Sequence, residues 1–180
     1  GITAYPSREE LDVSLQMTNA KLEFISMFYH GIEWAEGETD IDLHVAGRVA
    51  APRLYGFAQV NDGTVKLSPI IDVFRNIDAK VNFEGTQASI ERLSCRLGDG
   101  EVKASGFVTF QEQGGPRLDL TLTSQGAMVN TGIFRSIVNS DIKLYGPVSH
   151  PLVSGRISLA KAIVSPDTWS FAGAPLFDAD

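Results

Sequence analysis

Apolar and polar residues alternate with a period of two through most of this chain. Leu11, Val13, Leu15 and Met17 alternate with Asp12, Ser14 and Gln16. Ile41, Leu43 and Val45 alternate with Asp40, Asp42 and His44, and Ile77, Ala79, Val81 and Phe83 with Asp78, Lys80 and Asn82. Val102, Ala104, Val108 and Phe110 carry the pattern against Lys103, Ser105, Phe107 and Thr109. Leu118, Leu120 and Leu122 repeat it against Asp119, Thr121 and Thr123. Successive side chains of a strand point to opposite faces, so this pattern predicts strands with one apolar and one solvated face.

Asn61-Asp62-Gly63, Gly98-Asp99-Gly100 and Gln113-Gly114-Gly115-Pro116 read as turns between strands. The parity slips at Glu91-Arg92, where Ile90 is followed by Leu93, Cys95 and Leu97. A β-bulge or strand break there would keep both apolar sets on one face. Helical spacing is scarce. Leu22 to Trp34 carries Leu22, Ile25, Phe28, Tyr29 and Ile32, and brief helices are also predicted over Pro69–Asn76 and Thr131–Val138.

Two segments share the frame D-x4-G-x4-P-x3-G. Asp42, Gly47, Pro52 and Gly56 form the first, and Asp141, Gly146, Pro151 and Gly155 the second, each displaced by 99 positions (141 − 42). Neighbouring apolar positions match as well, as in Leu43/Ile142, Val45/Leu144 and Leu54/Val153. Upstream, Leu11–Leu15 corresponds to Leu118–Leu122, and both copies close on Ser-Pro, at Ser68-Pro69 and Ser165-Pro166. The frame reads as strand, tight connection, strand, with the glycine ending one strand and the proline interrupting the ladder. Repetition at a fixed offset predicts an array whose units bury apolar faces against one another. The expected organisation is one repeat-built segment over 1–166, with copies at 11–69 and 118–166. The tail 167–180 is expected to be flexible or to begin a further repeat.

Composition narrows the chemistry. With 15 Lys+Arg against 22 Asp+Glu the net charge is −7, and phosphate backbones need a basic face, so no nucleic-acid partner is expected. The 180 residues are 43% hydrophobic, too apolar for a disordered chain, yet hold no uninterrupted membrane-length apolar run. One cysteine, Cys95, rules out an internal disulfide and a Cys-pair zinc site; its parity predicts a buried, inert thiol. His30, His44 and His150 are scattered, and His44 falls on a polar face. Glu36, Glu38, Asp40 and Asp42 alternate on one side of a strand but lack a calcium-loop glycine, so they read as a solvated face and no metal is expected. No nucleophile elbow, Walker loop, H-E-x-x-H pair or dinucleotide fingerprint occurs. Neither an enzyme nor a cofactor is expected.

The D-x4-G-x4-P-x3-G frame followed by an alternating strand resembles the recurring unit of the TamB family, the inner-membrane component of the translocation and assembly module, and its AsmA-like relatives. The stretch Ala88–Phe110, with strand, Gly-Asp-Gly and strand in order, adds to the resemblance, which spans about Leu11 to Pro166. The segment Phe24–Glu38 departs from it: the stretch from Leu11 to Asp42 that contains it is eight residues longer than its second copy, Leu118 to Asp141 (42 − 11 = 31 against 141 − 118 = 23). The resemblance implies an all-β fold: an elongated sheet curled into an open half-pipe, or β-taco, with an apolar concave face, a polar convex face and one or two short helices. It also implies a periplasmic segment of an envelope-spanning protein anchored in the inner membrane and bridging to an Omp85-type outer-membrane barrel. It further implies a role in phospholipid transport between the membranes or in outer-membrane protein assembly and secretion.

On that footing the expected occupants of the groove are phospholipid acyl chains. The expected lining is Leu11, Val13, Leu15, Met17, Leu43, Val45, Leu54, Val60, Val81, Phe83, Leu120, Leu122, Ile142, Leu144, Ile157 and Leu159. Alternation alone serves a closed sandwich or barrel core equally well, and the two readings stay open here. The alternative role is a scaffold pairing its strand edges with unfolded outer-membrane strands. An exposed groove and free edges also predict that the segment dimerises or swaps strands. Gly1-Ile2-Thr3 and the polar stretch after Asp167 read as cuts from a longer chain.

Overall fold

The computed structural model describes residues 10–27, 30–49, 51–110 and 115–164. The expected tail 167–180 lies outside them. Nine strands succeed one another: β1 (Glu10–Lys21), β2 (Ile32–Arg48), β3 (Ala51–Leu67), β4 (Val73–Gly85), β5 (Gln87–Leu97), β6 (Gly100–Thr109), β7 (Arg117–Asn130), β8 (Phe134–Pro147) and β9 (Leu152–Val164). They form one antiparallel sheet whose spatial order is the order of the chain. Among the described residues β1 and β9 are its two edges and do not pair, so the nine strands do not close into a barrel. Every connection joins neighbours, because an antiparallel ladder needs only a short turn. Between β5 and β6, Leu97 faces Gly100 and leaves Gly98-Asp99 as a two-residue loop, as the Gly-Asp-Gly motif predicts.

A series of β-bulges crosses the sheet. The extra residues lie at Asn19 in β1, Asp62 in β3, Asn76 in β4, Gly126 in β7 and Lys161 in β9, each beside a register shift. All five fall in the half of their strand nearest the rim formed by the ends Lys21, Leu67, Val73, Asn130 and Val164. All five have positive φ, which Asn and Asp tolerate better than other side chains and Gly adopts freely. A bulge bends its strand and raises local twist, so bulges repeated across five strands put a crease in the sheet. Polar contacts brace it: Asn76 Nδ2 donates to Asp62 Oδ1 at 2.7 Å, Asn19 N to Asp40 Oδ1 at 3.0 Å, and Gly126 N to Asn139 Oδ1 at 2.7 Å. The bulge expected at Glu91-Arg92 is present, nearer the middle of β5, where Lys80 faces Arg92 while Val81 faces Ile90. It leaves Ile90 and Leu93 on one face.

Among the described residues most buried apolar side chains gather in two small clusters along the creased rim, with Ile41 and Ala88 buried apart from them. Leu22, Ala35 and Val65 form one, joined by Ile25, Ile32 and Val60; Cys95, Leu97, Val102 and Ala127 form the other, joined by Ile70, Phe74 and Val129. A 3-10 turn over Leu22–Met27 covers the first cluster, and the β3–β4 loop covers the second. That loop reaches past the β5–β6 hairpin, where Ile71 N donates to Asn130 O at 2.6 Å, and Lys66 Nζ ties it down at Ile70 O and Ile71 O. The sheet curls toward this covered face. A side chain at Gly100, aligned with Val102 and Ala104, would run into the backbone of Gly126 and Ala127.

Some sequence expectations fail here. Asn61-Asp62-Gly63 is no turn but the bulge inside β3. Pro69–Asn76 and Thr131–Val138 are not helices: each passes from a loop into a strand, β4 at Val73 and β8 at Phe134. Phe74 and Ile77 stand three apart on one face because Asn76 is inserted between them, which mimics helical spacing. In Leu22–Trp34 only Leu22–Met27 is helical, as a 3-10 turn, and Ile32 already belongs to β2; Phe28 and Tyr29 lie outside the described residues.

Candidate functional site

Residues directly opposite in an antiparallel ladder share a face, so register carries face identity from strand to strand. Leu15 faces Leu43, and Leu43 faces Gly56, which faces Phe83. Phe83 faces Ala88, Ala88 faces Val108 and Val108 faces Leu118. Within β7 the same side carries Leu120, which faces Leu144, and Leu144 faces Val153. By this path all sixteen residues expected to line a groove stand on one face of the sheet. The two-residue period within strands and the bulges between them keep that face apolar from β1 to β9.

The sixteen omit β5 and β6. Register adds Ala88, Ile90 and Leu93 from β5 and Val102, Ala104 and Val108 from β6. Alternation in Val102–Val108 carried the signal for β6, whereas the slip at Glu91-Arg92 broke the pattern of β5 into two short runs.

This face is not the floor of a closed core. Leu43, Val45, Leu54, Val81, Phe83, Leu120, Leu122, Ile142 and Leu144 are half-buried, by their strand neighbours and the curl. At the edges Val13, Leu15, Ile157 and Leu159 are exposed, with β9 residues Ile157 at 58% and Leu159 at 52%. No second sheet lies over them among the described residues. Polar side chains on this face are tied to backbone or to each other. Thr39 Oγ1 donates to Gln59 O at 2.8 Å, Ser136 Oγ to Ala160 O at 3.1 Å, and Ser124 and Ser140 hydroxyls meet at 2.8 Å. A face so satisfied presents hydrocarbon and little else.

The opposite face carries the charge. Lys80 Nζ meets Glu91 at 2.8 Å, and the hydrogen bonds from Lys80 and then Asn82 hold the Glu91 carboxyl below the ordinary carboxylate range. His44 Nδ1 lies 3.1 Å from Ser14 Oγ, and its Nε2 3.7 Å from Asp12. Asp40 and Asp42 hold Asn19 N and Gln16 rather than converging on a common point. Among the described residues no group of three His, Cys, Asp or Glu side chains is placed to hold a metal. Cys95 is buried on the apolar face, and desolvation pushes its thiol up to about 11. Shallow concavities of about 440 and 400 Å³ lie on the polar side, between β6 and β9 and between β5 and β7. Their linings mix Arg156, Lys103, Glu101 and Asp141 with serine and threonine, which suits water better than acyl chains.

What the arrangement can do chemically is hold a long apolar ligand against an extended hydrocarbon surface. Among the described residues no helix is long and apolar enough to cross a membrane. Residues 91–175 match the family model of the TamB C-terminal domain. No curated protein and no solved structure matches the chain.

Proposed function

We propose, on the match of residues 91–175 to the TamB C-terminal domain model, that this chain is a periplasmic segment of a TamB-like envelope-spanning protein whose apolar face holds phospholipid acyl chains in transit between the inner and outer membranes. The observation that carries this reading is the continuous apolar face over nine strands, half-buried by curl and, away from the two rim clusters, without a covering layer among the described residues. Each methylene taken from water onto such a face contributes about 0.8 kcal/mol, so chain length rather than polar recognition sets affinity. An extended face with no blocking charge also lets a chain slide from strand to strand at nearly constant energy. In the full-length protein the partner at the outer membrane would be an Omp85-type barrel.

Photoreactive residues at Leu43, Leu120 and Ile142 on the apolar face should crosslink phospholipid in cells. The same probe at Ser105, Thr121 and Lys143 on the polar face should not. Equal labelling of both faces, or no lipid adduct at any site, overturns the proposal.

One observation favours a second reading. All residues of β9 are exposed and its outer edge has no partner among the described residues, which is the condition for strand addition. A scaffold for outer-membrane protein assembly would use that edge. Peptide crosslinks along β9 with an apolar face free of lipid would favour it over the conduit.

A further inference from the structure

On the polar face, β6, β7 and β8 bring two aromatic rings to either side of a carboxylate. Asp119 faces Phe107 across one ladder and Tyr145 across the other, and both rings are well exposed, at 38% and 44%. Thr109, Arg117, Leu118 and Gly146 complete the lining of a concavity of about 320 Å³ at this place. Among the described residues neither Asp119 nor Arg117 has a hydrogen bond or ion pair with a side chain. The counterpart of Asp119 in the first copy is Asp12, and it differs on both counts. Asp12 lies 3.7 Å from His44, and Ala46 stands where β8 has Tyr145.

A carboxylate flanked by two rings suits an organic ammonium: the carboxylate supplies the counter-charge, and ring electrons attract its polarised methyl or N–H groups. Arg117 changes the identity of the ligand. It lies two residues from Asp119 on the same face, about 6.6 Å along the strand, and would repel a simple cation. A ligand with an anion next to its ammonium answers both charges, and guanidinium is the side chain best suited to phosphate. We propose that Phe107, Asp119, Tyr145 and Arg117 form a binding site for a zwitterion of phosphate and alkylammonium, with the ammonium at Asp119 and the phosphate at Arg117. This site lies on the face opposite the hydrocarbon surface and does not depend on that surface carrying lipid.

NMR titration of the whole chain tests it. Phosphocholine should give saturable shifts centred on Phe107, Arg117, Asp119 and Tyr145, and bind at least fivefold more tightly than tetramethylammonium or inorganic phosphate alone. Asp119→Asn and Tyr145→Leu should each weaken phosphocholine at least fivefold, while Asp12→Asn leaves it unchanged. Cosedimentation with phosphatidylcholine vesicles identifies the source: dependence on Asp119 there points to a lipid headgroup, and binding of soluble phosphocholine alone to a free phosphoester. Shifts scattered over the surface, equal effects of Asp119→Asn and Asp12→Asn, or equal affinity for phosphate alone overturn the proposal. Lipid crosslinking at Leu43 and Leu120 is expected to survive Asp119→Asn, so failure here and failure of the acyl-chain reading are separable.

Discussion

Gly56 and Gly155 occupy equivalent places in the two copies of the repeat, and substituting alanine at each should cost different amounts. Gly56 faces Leu43 and has φ of +115°; Gly155 faces Ile142 and has φ of +137°. A Cβ on Gly56 would run into the Asp42 carbonyl and stand 3.0 Å from its carbon, and one on Gly155 would meet Asp141 in the same way, 2.9 Å from Ile142 Cα. The obstacle is backbone in both cases, so it cannot rotate away. Two terms then add for Gly56→Ala: about 1–3 kcal/mol for a backbone region that alanine avoids, and about 1–3 kcal/mol for displacing packed structure. β3 is held between β2 and β4 and cannot retreat, so the total is about 2–6 kcal/mol. β9 has a ladder on one side only among the described residues and can move outward, which leaves about 1–3 kcal/mol. Gly126 supplies the control, since its φ is +67° but a Cβ there would lie 3.8 Å from Gly100 Cα, an ordinary contact. Gly126→Ala should cost about 1–2 kcal/mol. Urea denaturation followed by circular dichroism gives the ranking from the shift in midpoint at unchanged slope. If Gly56→Ala and Gly126→Ala fall within 0.5 kcal/mol of each other, roughly the error of such comparisons, close approach to Asp42 is not what requires glycine.

Other consequences are open to measurement. Leu120→Arg places a charge in the middle of the apolar face, and lipid crosslinking should fall more than tenfold while the far-ultraviolet spectrum stays that of the parent. An unchanged lipid yield would remove the face from the transport reading. Cys95 has a folded pKa of about 11, raised by burial above the usual value near 9, so the folded state holds its proton longer than the unfolded chain. Stability is unaffected below pH 9 and falls between about pH 9 and 11; Cys95→Ala should flatten that part of the pH–stability curve. The same burial makes labelling of Cys95 by a thiol reagent at pH 8 follow unfolding, and rapid labelling of the native protein would contradict it. Ile157→Lys and Leu159→Lys put charges on the exposed strand β9, and light scattering should show less concentration-dependent association than in the parent. Equal association would locate self-contact elsewhere.

Strand pairing explains why helices were expected where strands occur. Ile137 and Val138 are neighbours in β8 that point to opposite faces, Ile137 toward Met128 and Val138 toward Ala127, while Ile133 precedes the strand and is exposed. Phe74 and Ile77 share a face through a bulge. In both places apolar spacing loses its period of two for reasons that arise only when strands meet. The acidic run Glu36–Asp42, by contrast, stays on the polar side as its parity predicts, with Glu36, Glu38 and Asp42 exposed and Asp40 half-buried where it accepts from Asn19 N.

Sequence alone determined which residues belong together on a face. Pleating is a local property, and alternation at Leu11–Met17, Leu43–Val45, Leu118–Leu122 and Ile142–Leu144 placed each strand's hydrocarbon without knowledge of its partner. The repeated glycine was legible as a fixed place in the frame, whereas the backbone approach it permits at Gly56 and Gly155 was not. What only the tertiary structure decided is whether that hydrocarbon is a core or a surface. Alternation is identical in a closed barrel and an open trough; the difference lies in β1 and β9 ending as free edges and in a crease built by Asn19, Asp62, Asn76, Gly126 and Lys161. Those residues are ordinary turn-formers or, in Lys161, an ordinary lysine until ladders on both sides show each to be one residue too many. The hydrophobic surface therefore follows from local chemistry, and its openness from the pairing of distant strands.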